Sequence, residues 1–272
     1  MEKREQGRDL QSLAAGYDKM LRLTSYPVAV KLFEEIADFE KVRYKGKSVM
    51  LQQKRLAVCQ IFAHARYYGR LNAATREKLD LCRLGADAFG FPVTDYTKVY
   101  SGTYFDCDET ARKMIETTPK FKRDLYKVVL VAPLEKSPIY PDVVLFYGNT
   151  AQILRLVHGY LYDKGGRLEF SSSGDAGACA DPVVIPMETG KPSIGIPCNG
   201  GRVLSWPSDN DLVCGVPGGL LEEVLKGVEA THFGPGQIHY PVAWQHIDWE
   251  PQPPVTDFLH PEKAKGKKEE QG

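Results

Sequence analysis

Short apolar runs, each cut off by glycine, proline or serine, constrain this chain more than any other feature of its sequence. Lys127-Val-Val-Leu-Val-Ala132 and Asp142-Val-Val-Leu-Phe-Tyr147 have the β-branched and aromatic content of buried strands. Pro27-Val-Ala-Val-Lys-Leu-Phe33 adds another, with its proline at the tolerated first position. Arg167–Phe170, Pro182–Ile185, Ser193–Ile196, Arg202–Ser205 and Asp211–Val216 are further strand candidates, all brief and bounded by turn residues. Among them Leu10, Leu13, Ala14, Tyr17, Met20 and Leu21 recur at helical spacing and predict a first helix ending before Ser25-Tyr-Pro27. Residues 53–70 predict a second, with Leu56, Cys59, Phe62, Ala63 and Arg66 near one face. Asp106 caps a short helix through Thr117, and Asn149 caps one from Thr150 to Asp163 that Gly165-Gly166 ends. The last, Pro217–Glu229, carries Leu220, Leu221, Val224, Leu225 and Val228 on its apolar side. This order is not a regular strand–helix alternation, so the expected fold is α+β: a mixed, largely antiparallel sheet with flanking helices.

A faint echo runs through the chain. Pro27-Val-Ala-Val followed by Gln60-Ile61 and Tyr68 resembles Pro141-Asp-Val-Val followed by Gln152-Ile153 and Tyr160, and each stretch then reaches a glycine-flanked cysteine, Cys82 or Cys179. One reading is a single α+β domain over residues 1–230 made of two weakly similar halves, about 25–125 and 126–230; the other is coincidence between short helix patterns. Duplicated units would bring both cysteine loops to a common interface, where pockets form. Residues 231–260 read as an irregular aromatic extension packed over the body or over a second subunit, which leaves room for a homo-oligomer. His232, His239 and His246 recur there every seven residues, but the glycines and prolines between them leave no helical face for a metal. Residues 261–272 read as a disordered charged tail.

Charge narrows the partners. Thirty-five basic and thirty-five acidic residues cancel, which argues against nucleic acid and membrane surfaces and leaves small molecules open. The first residues have no apolar run behind their charges, and no stretch of about 18 apolar residues occurs, so a cytoplasmic location is expected. Six cysteines in that compartment stay reduced, which favours metal, redox or nucleophile roles over disulfides.

The thiols stand in marked surroundings: Cys59-Gln60 with Arg66 and Arg70 downstream, Leu81-Cys82-Arg-Leu-Gly85, Gly177-Ala-Cys179-Ala-Asp181, and Pro197-Cys198-Asn-Gly200-Gly201-Arg202. Reactive thiols need exposure and nearby positive charge, so these read as parts of one site. Thiolates of Cys59, Cys82, Cys179 and Cys198 are the ligand set for an iron–sulfur cluster or a zinc ion, although no Cys-x-x-Cys pair is present. Without a metal, Cys59 is the candidate nucleophile, held as a thiolate by Arg66 or Arg70; a cysteine packed as a small hydrophobe is the bland alternative, and it is the reading for Cys107 and Cys214. The loop 171–181 and the Gly200-Gly201 turn offer backbone amides to a small anion, with Arg202 as a bidentate clamp and Gln60 as a further ligand-binding side chain. No Walker or dinucleotide fingerprint accompanies them.

These motifs, in order, carry a resemblance: Pro27-Val-Ala-Val-Lys, Cys59-Gln60 with Ala65-Arg66 and Gly69-Arg70, Cys82 with Gly85 and Gly90, Pro141-Asp-Val-Val-Leu-Phe-Tyr-Gly148 with Gln152 and Arg155, Cys179-Ala-Asp181, Gly200-Gly201-Arg202, and the helix opened by Val216-Pro217. Over roughly residues 10–230 the chain resembles the domain of unknown function 169 family, also called ArCR, of bacteria and archaea. The resemblance implies a common fold and a shared site around these positions, and no assigned activity. The functional expectation is a cytoplasmic redox-linked or small-ligand-binding enzyme component with a cysteine-centred pocket, dependent on a metal or an iron–sulfur cluster. The competing expectation is a noncatalytic binding or assembly protein that holds a small anionic ligand.

Overall fold

The computed structural model describes residues 9–232. In chain order it contains α1 (Leu10–Leu21), β1 (Val28–Phe33), α2 (Ile36–Phe39), the hairpin strands β2 (Arg43–Tyr44) and β3 (Lys47–Ser48), α3 (Val58–Tyr68), β4 (Asn72–Thr75), α4 (Arg83–Ala88), α5 (Thr97–Tyr100) and α6 (Asp108–Thr117). There follow β5 (Val128–Pro133), β6 (Val143–Gly148), α7 (Thr150–Leu161), a π-helical turn (Ala180–Val184) running into α8 (Ile185–Thr189), β7 (Ser193–Gly195), α9 (Asn199–Ser205), β8 (Leu212–Pro217) and α10 (Leu221–Ala230). The fold is α+β. Its six-stranded sheet has the order β4-β5-β1-β6-β8-β7, with each pairing antiparallel.

Both faces of the sheet are covered, which is why its central strands read as continuous apolar runs. Successive side chains point to opposite faces. Val28, Val30, Leu32, Val129, Val131, Val143, Leu145 and Tyr147 pack against Ile61, Phe62 and Ala65 of α3. Ala29, Val144, Phe146, Cys214 and Val216 pack on the other side against α1, α7 and α10. The helices start where capping chemistry allows: the Asp9 carboxylate accepts the Ser12 N–H at 2.7 Å, and the Asn149 side chain accepts the Gln152 N–H at 3.1 Å.

The echo in the sequence has a counterpart in the sheet. Val28 lies opposite Pro133 as Val143 lies opposite Pro217. The amides of Leu134 and Gly218, just past those prolines, donate at 2.8 Å to the carbonyls of Pro27 and Asp142. β4 then adds to β5 as β7 adds to β8, so two strand–helix–strand–strand units meet at the β1/β6 pair. In this arrangement β5 belongs with β1, to which it pairs. The helices do not follow the repeat, since α3 covers one face and α7 the other.

Three expected strands are absent. Pro182–Ile185 lies in the π-helical turn and the start of α8, Arg202–Ser205 belongs to α9, and 167–170 has no regular structure. A short apolar run is compatible with either a buried strand or a buried helix, and only its surroundings decide. Cys107 rather than Asp106 occupies the cap position of α6. No helix among the described residues is long and apolar enough to cross a membrane. The aromatic extension beyond His232 and the charged tail lie outside the described residues.

Candidate functional site

Four thiols reach one place by four local devices. Cys59 occupies the first turn of α3, whose Ile61, Phe62 and Ala65 are buried against the sheet. Cys82 stands at the cap position of α4, and Cys179 immediately precedes the π-helical turn. Cys198 caps α9 with its own sulfur, which accepts the Gly201 N–H at 3.3 Å. All four line a single cavity of about 340 Å³, with Gly85, Gly200, Gly201 and the apolar side chains Val58, Leu81, Leu84, Val99 and Leu204. Cys107 and Cys214 are elsewhere, the first exposed and the second buried under the opposite face of the sheet.

Backbone packing holds the Cys179 segment in place. A methyl on Gly195 would come within 1.7 Å of the Gly177 carbonyl oxygen, and one on Gly215 within 1.7 Å of the Pro182 oxygen. Chains can approach this closely only where side chains are missing, so these glycines let the segment on either side of Cys179 lie directly on β7 and β8.

The electrostatics of the cavity favour neutral thiols. Burial pushes Cys59 up to about 12, and the neighbouring Cys82 and Cys198 add to the effect. Burial likewise raises Cys82, and it raises Cys179 well above the ordinary thiol value, reinforced by Cys198, Cys82 and Cys59. Desolvation penalises the charged form, and crowding of like acids penalises it further.

This arrangement corrects the expected role of Arg66. Its guanidinium does not line the cavity: Nε donates to the Ser25 hydroxyl at 2.8 Å, Nη2 pairs with the buried Asp211 carboxylate, and the plane lies between the rings of Tyr67 and Tyr147 at 4.5 and 4.1 Å. With that charge already paired, no cation among the described residues is placed to hold Cys59 as a thiolate. Arg70 lies over the ring of Tyr68 and does not line the cavity. Arg202 does not line the cavity, as Gly200 and Gly201 do, and donates to Asp209 at 3.0 Å. Gln60 serves the backbone: its Oε1 accepts the Ala57 N–H at 2.9 Å, as Gln152 does for Asn149 at 2.8 Å, so the shared Gln-Ile pair marks two helix starts.

Sequence reasoning missed Tyr96, Tyr100, Tyr104 and Asp175, all of which line the cavity. Three tyrosines spaced four apart shortly after Cys82 were the available signal, and Asp175 sits in the glycine-rich loop before Cys179. Tyr96 donates to the Asp87 carboxylate at 2.6 Å, which Lys120 also reaches at 2.6 Å. Burial raises the Tyr100 hydroxyl, followed by the influence of Cys82, Asp175, Cys198 and Cys179 around it. Burial alone raises Asp175. As placed, no three of the described histidines, cysteines, aspartates and glutamates surround a point that one metal ion would occupy.

The comparisons with known proteins agree with the motifs. The family described as Uncharacterised ArCR, domain of unknown function 169, matches residues 18–227. The uncharacterized protein MJ0308 of Methanocaldococcus jannaschii is 31% identical over 213 residues, covering 76% of this chain and 87% of that protein. No solved structure matches. The matched span runs from within α1 to within α10 and contains each cavity cysteine, and the chain belongs to the domain of unknown function 169 (ArCR) family.

Proposed function

We propose that the cavity binds a thiolate-ligated metal centre, an iron–sulfur cluster before zinc, and that the protein is a redox-linked component acting in the cytoplasm. One observation carries this reading: Cys59, Cys82, Cys179 and Cys198, from four separate segments, line the same largely apolar cavity. Buried thiols such as Cys59 and Cys179 are poor nucleophiles, so the gathering of the four favours an electrophilic centre held by thiolates. Zinc requires four donors at about 2.3 Å from one point. A cluster places metal and sulfide between its thiolates, so its ligating sulfurs stand farther apart than those around a single ion. The test is anaerobic purification with iron, acid-labile sulfide and zinc analysis. Iron with sulfide and absorbance near about 400 nm supports the cluster, and zinc supports the mononuclear alternative. Both metals below about 0.1 per chain end the reading.

The second reading is a noncatalytic small-molecule binder, favoured by the apolar and tyrosine-rich wall. Cys59→Ser separates the two. It removes a soft ligand and empties a metal site, whereas a binder that uses only shape keeps its affinity.

A further inference from the structure

Two polar groups in the cavity have no part in thiolate ligation. Asp175 is 8% exposed and lines the cavity, yet its carboxylate has no hydrogen-bond or ion-pair partner among the described residues. The bonds of its loop engage only its backbone: the Ser173 hydroxyl donates to the Asp175 carbonyl at 3.1 Å, and the Asp175 N–H donates to that hydroxyl at 3.3 Å. The Tyr100 hydroxyl is likewise without a described partner, and it shares its surroundings with Asp175 and Cys82. Tyr96, Tyr100 and Tyr104 follow one another along this side with ring centroids 6.1 and 6.2 Å apart, the first pair edge-on and the second tilted, forming an aromatic wall. Arg83, the basic residue of the lining, is exposed at the rim and leans toward the Asp95 carbonyl at 3.5 Å.

A carboxylate largely removed from solvent and without a described partner is stabilised when a cation or hydrogen-bond donor arrives to meet it. Aromatic faces attract cations, and they do so most strongly where water is excluded. The cavity volume of about 340 Å³ is at the scale of small-molecule sites.

We propose that this cavity takes a small organic molecule bearing an ammonium group, with the cationic head between Asp175 and the tyrosine wall and the body against the apolar side. This is opposite in charge to the ligand that an Arg202 clamp would select. The inference does not rest on the metal reading, because Asp175 and the tyrosines offer the same contacts whether or not the thiols ligate a metal.

The test is calorimetric titration of the full chain with n-butylammonium and choline, against the neutral n-butanol and 3,3-dimethylbutanol and the anionic butyrate, with iron and zinc measured in every preparation. The expected result is ammonium binding at least about tenfold tighter than that of the neutral isosteres. Asp175→Asn should lose at least about tenfold in affinity while keeping its far-ultraviolet spectrum, and Tyr100→Phe should lose a smaller factor. Equal affinity for charged and neutral probes, preference for butyrate, full affinity in Asp175→Asn, or no binding of any probe at about 10 mM overturns the proposal. The charged-versus-neutral comparison is read on the unaltered protein and stands even if a variant misfolds. Ammonium binding supports this proposal whether or not metal is present, and metal content alone decides the metal reading, so the two fail separately.

Discussion

The sulfurs of Cys82 and Cys179 flank one point beside the backbone of Gly85: a methyl placed on that glycine would lie 3.5 Å from the sulfur of Cys179 and 3.8 Å from that of Cys82. Both are ordinary contact distances, so a methyl on Gly85 would fit in van der Waals contact with the two thiols.

Gly85→Ala should therefore fold. Alanine favours a helix by up to about 1 kcal/mol over glycine, and Gly85 lies inside α4. The methyl would lie against two of the thiols, so iron and sulfide per chain in anaerobic preparations should fall by at least about half while thermal stability is kept. Unchanged metal content would place the centre elsewhere in the cavity.

Arg66 and Asp211 are 3% and 7% exposed, and the carboxylate also accepts the Ser208 N–H at 2.9 Å. Arg66→Met leaves a buried carboxylate without its cation and should cost about 3–5 kcal/mol in urea unfolding. Arg66→Met with Asp211→Asn removes the stranded charge, keeps an acceptor for Ser208, and should recover at least about half of that loss. If Arg66→Met alone is as stable as the unaltered protein, the pair is not what joins α3 to the start of β8.

Gly195→Ala tests the contact that seats the Cys179 segment. Its methyl would meet the Gly177 carbonyl oxygen at 1.7 Å, and neither element is free to move without disturbing β8. The expected cost is about 3 kcal/mol, the upper end for overpacking, and Cys179 should react faster with a thiol reagent than in the unaltered protein. Unchanged reaction kinetics would show that the glycine contact does not position this thiol.

Cys214 offers a pH test outside the cavity. Burial pushes it from 9.0 to about 12, so the folded protein keeps a proton that the unfolded chain gives up. Its contribution is fully present below pH 9.0 and is lost as pH rises toward about 12. Urea unfolding of Cys214→Val should show a shallower decline over that interval, the difference approaching about 1.4 kcal/mol per pH unit. The remaining thiols titrate in both proteins and cancel. Parallel declines would mean that Cys214 ionises as readily in the folded state as in the unfolded one.

The sequence by itself determined the strands β1, β5, β6 and β8, the helices α1, α3, α7 and α10, and the α+β class, because these depend on apolar period and capping residues that are local. It also singled out the four cysteines that share the cavity, through their glycine, glutamine and proline neighbours. Other features were decided only by the tertiary structure. The 182–185 run became π-helical and α-helical because glycines in β7 and β8 let its backbone dock on the sheet, a contact between segments that no local pattern encodes. Arg66, read as charge for Cys59, pairs with Asp211, Arg202, read as an anion clamp, pairs with Asp209, and Asp175 and the tyrosines stand around the cavity instead. A side chain's type sets what it can bond, but its partner depends on which distant segment the packed core brings within reach; for Arg66 that partner is 145 residues away.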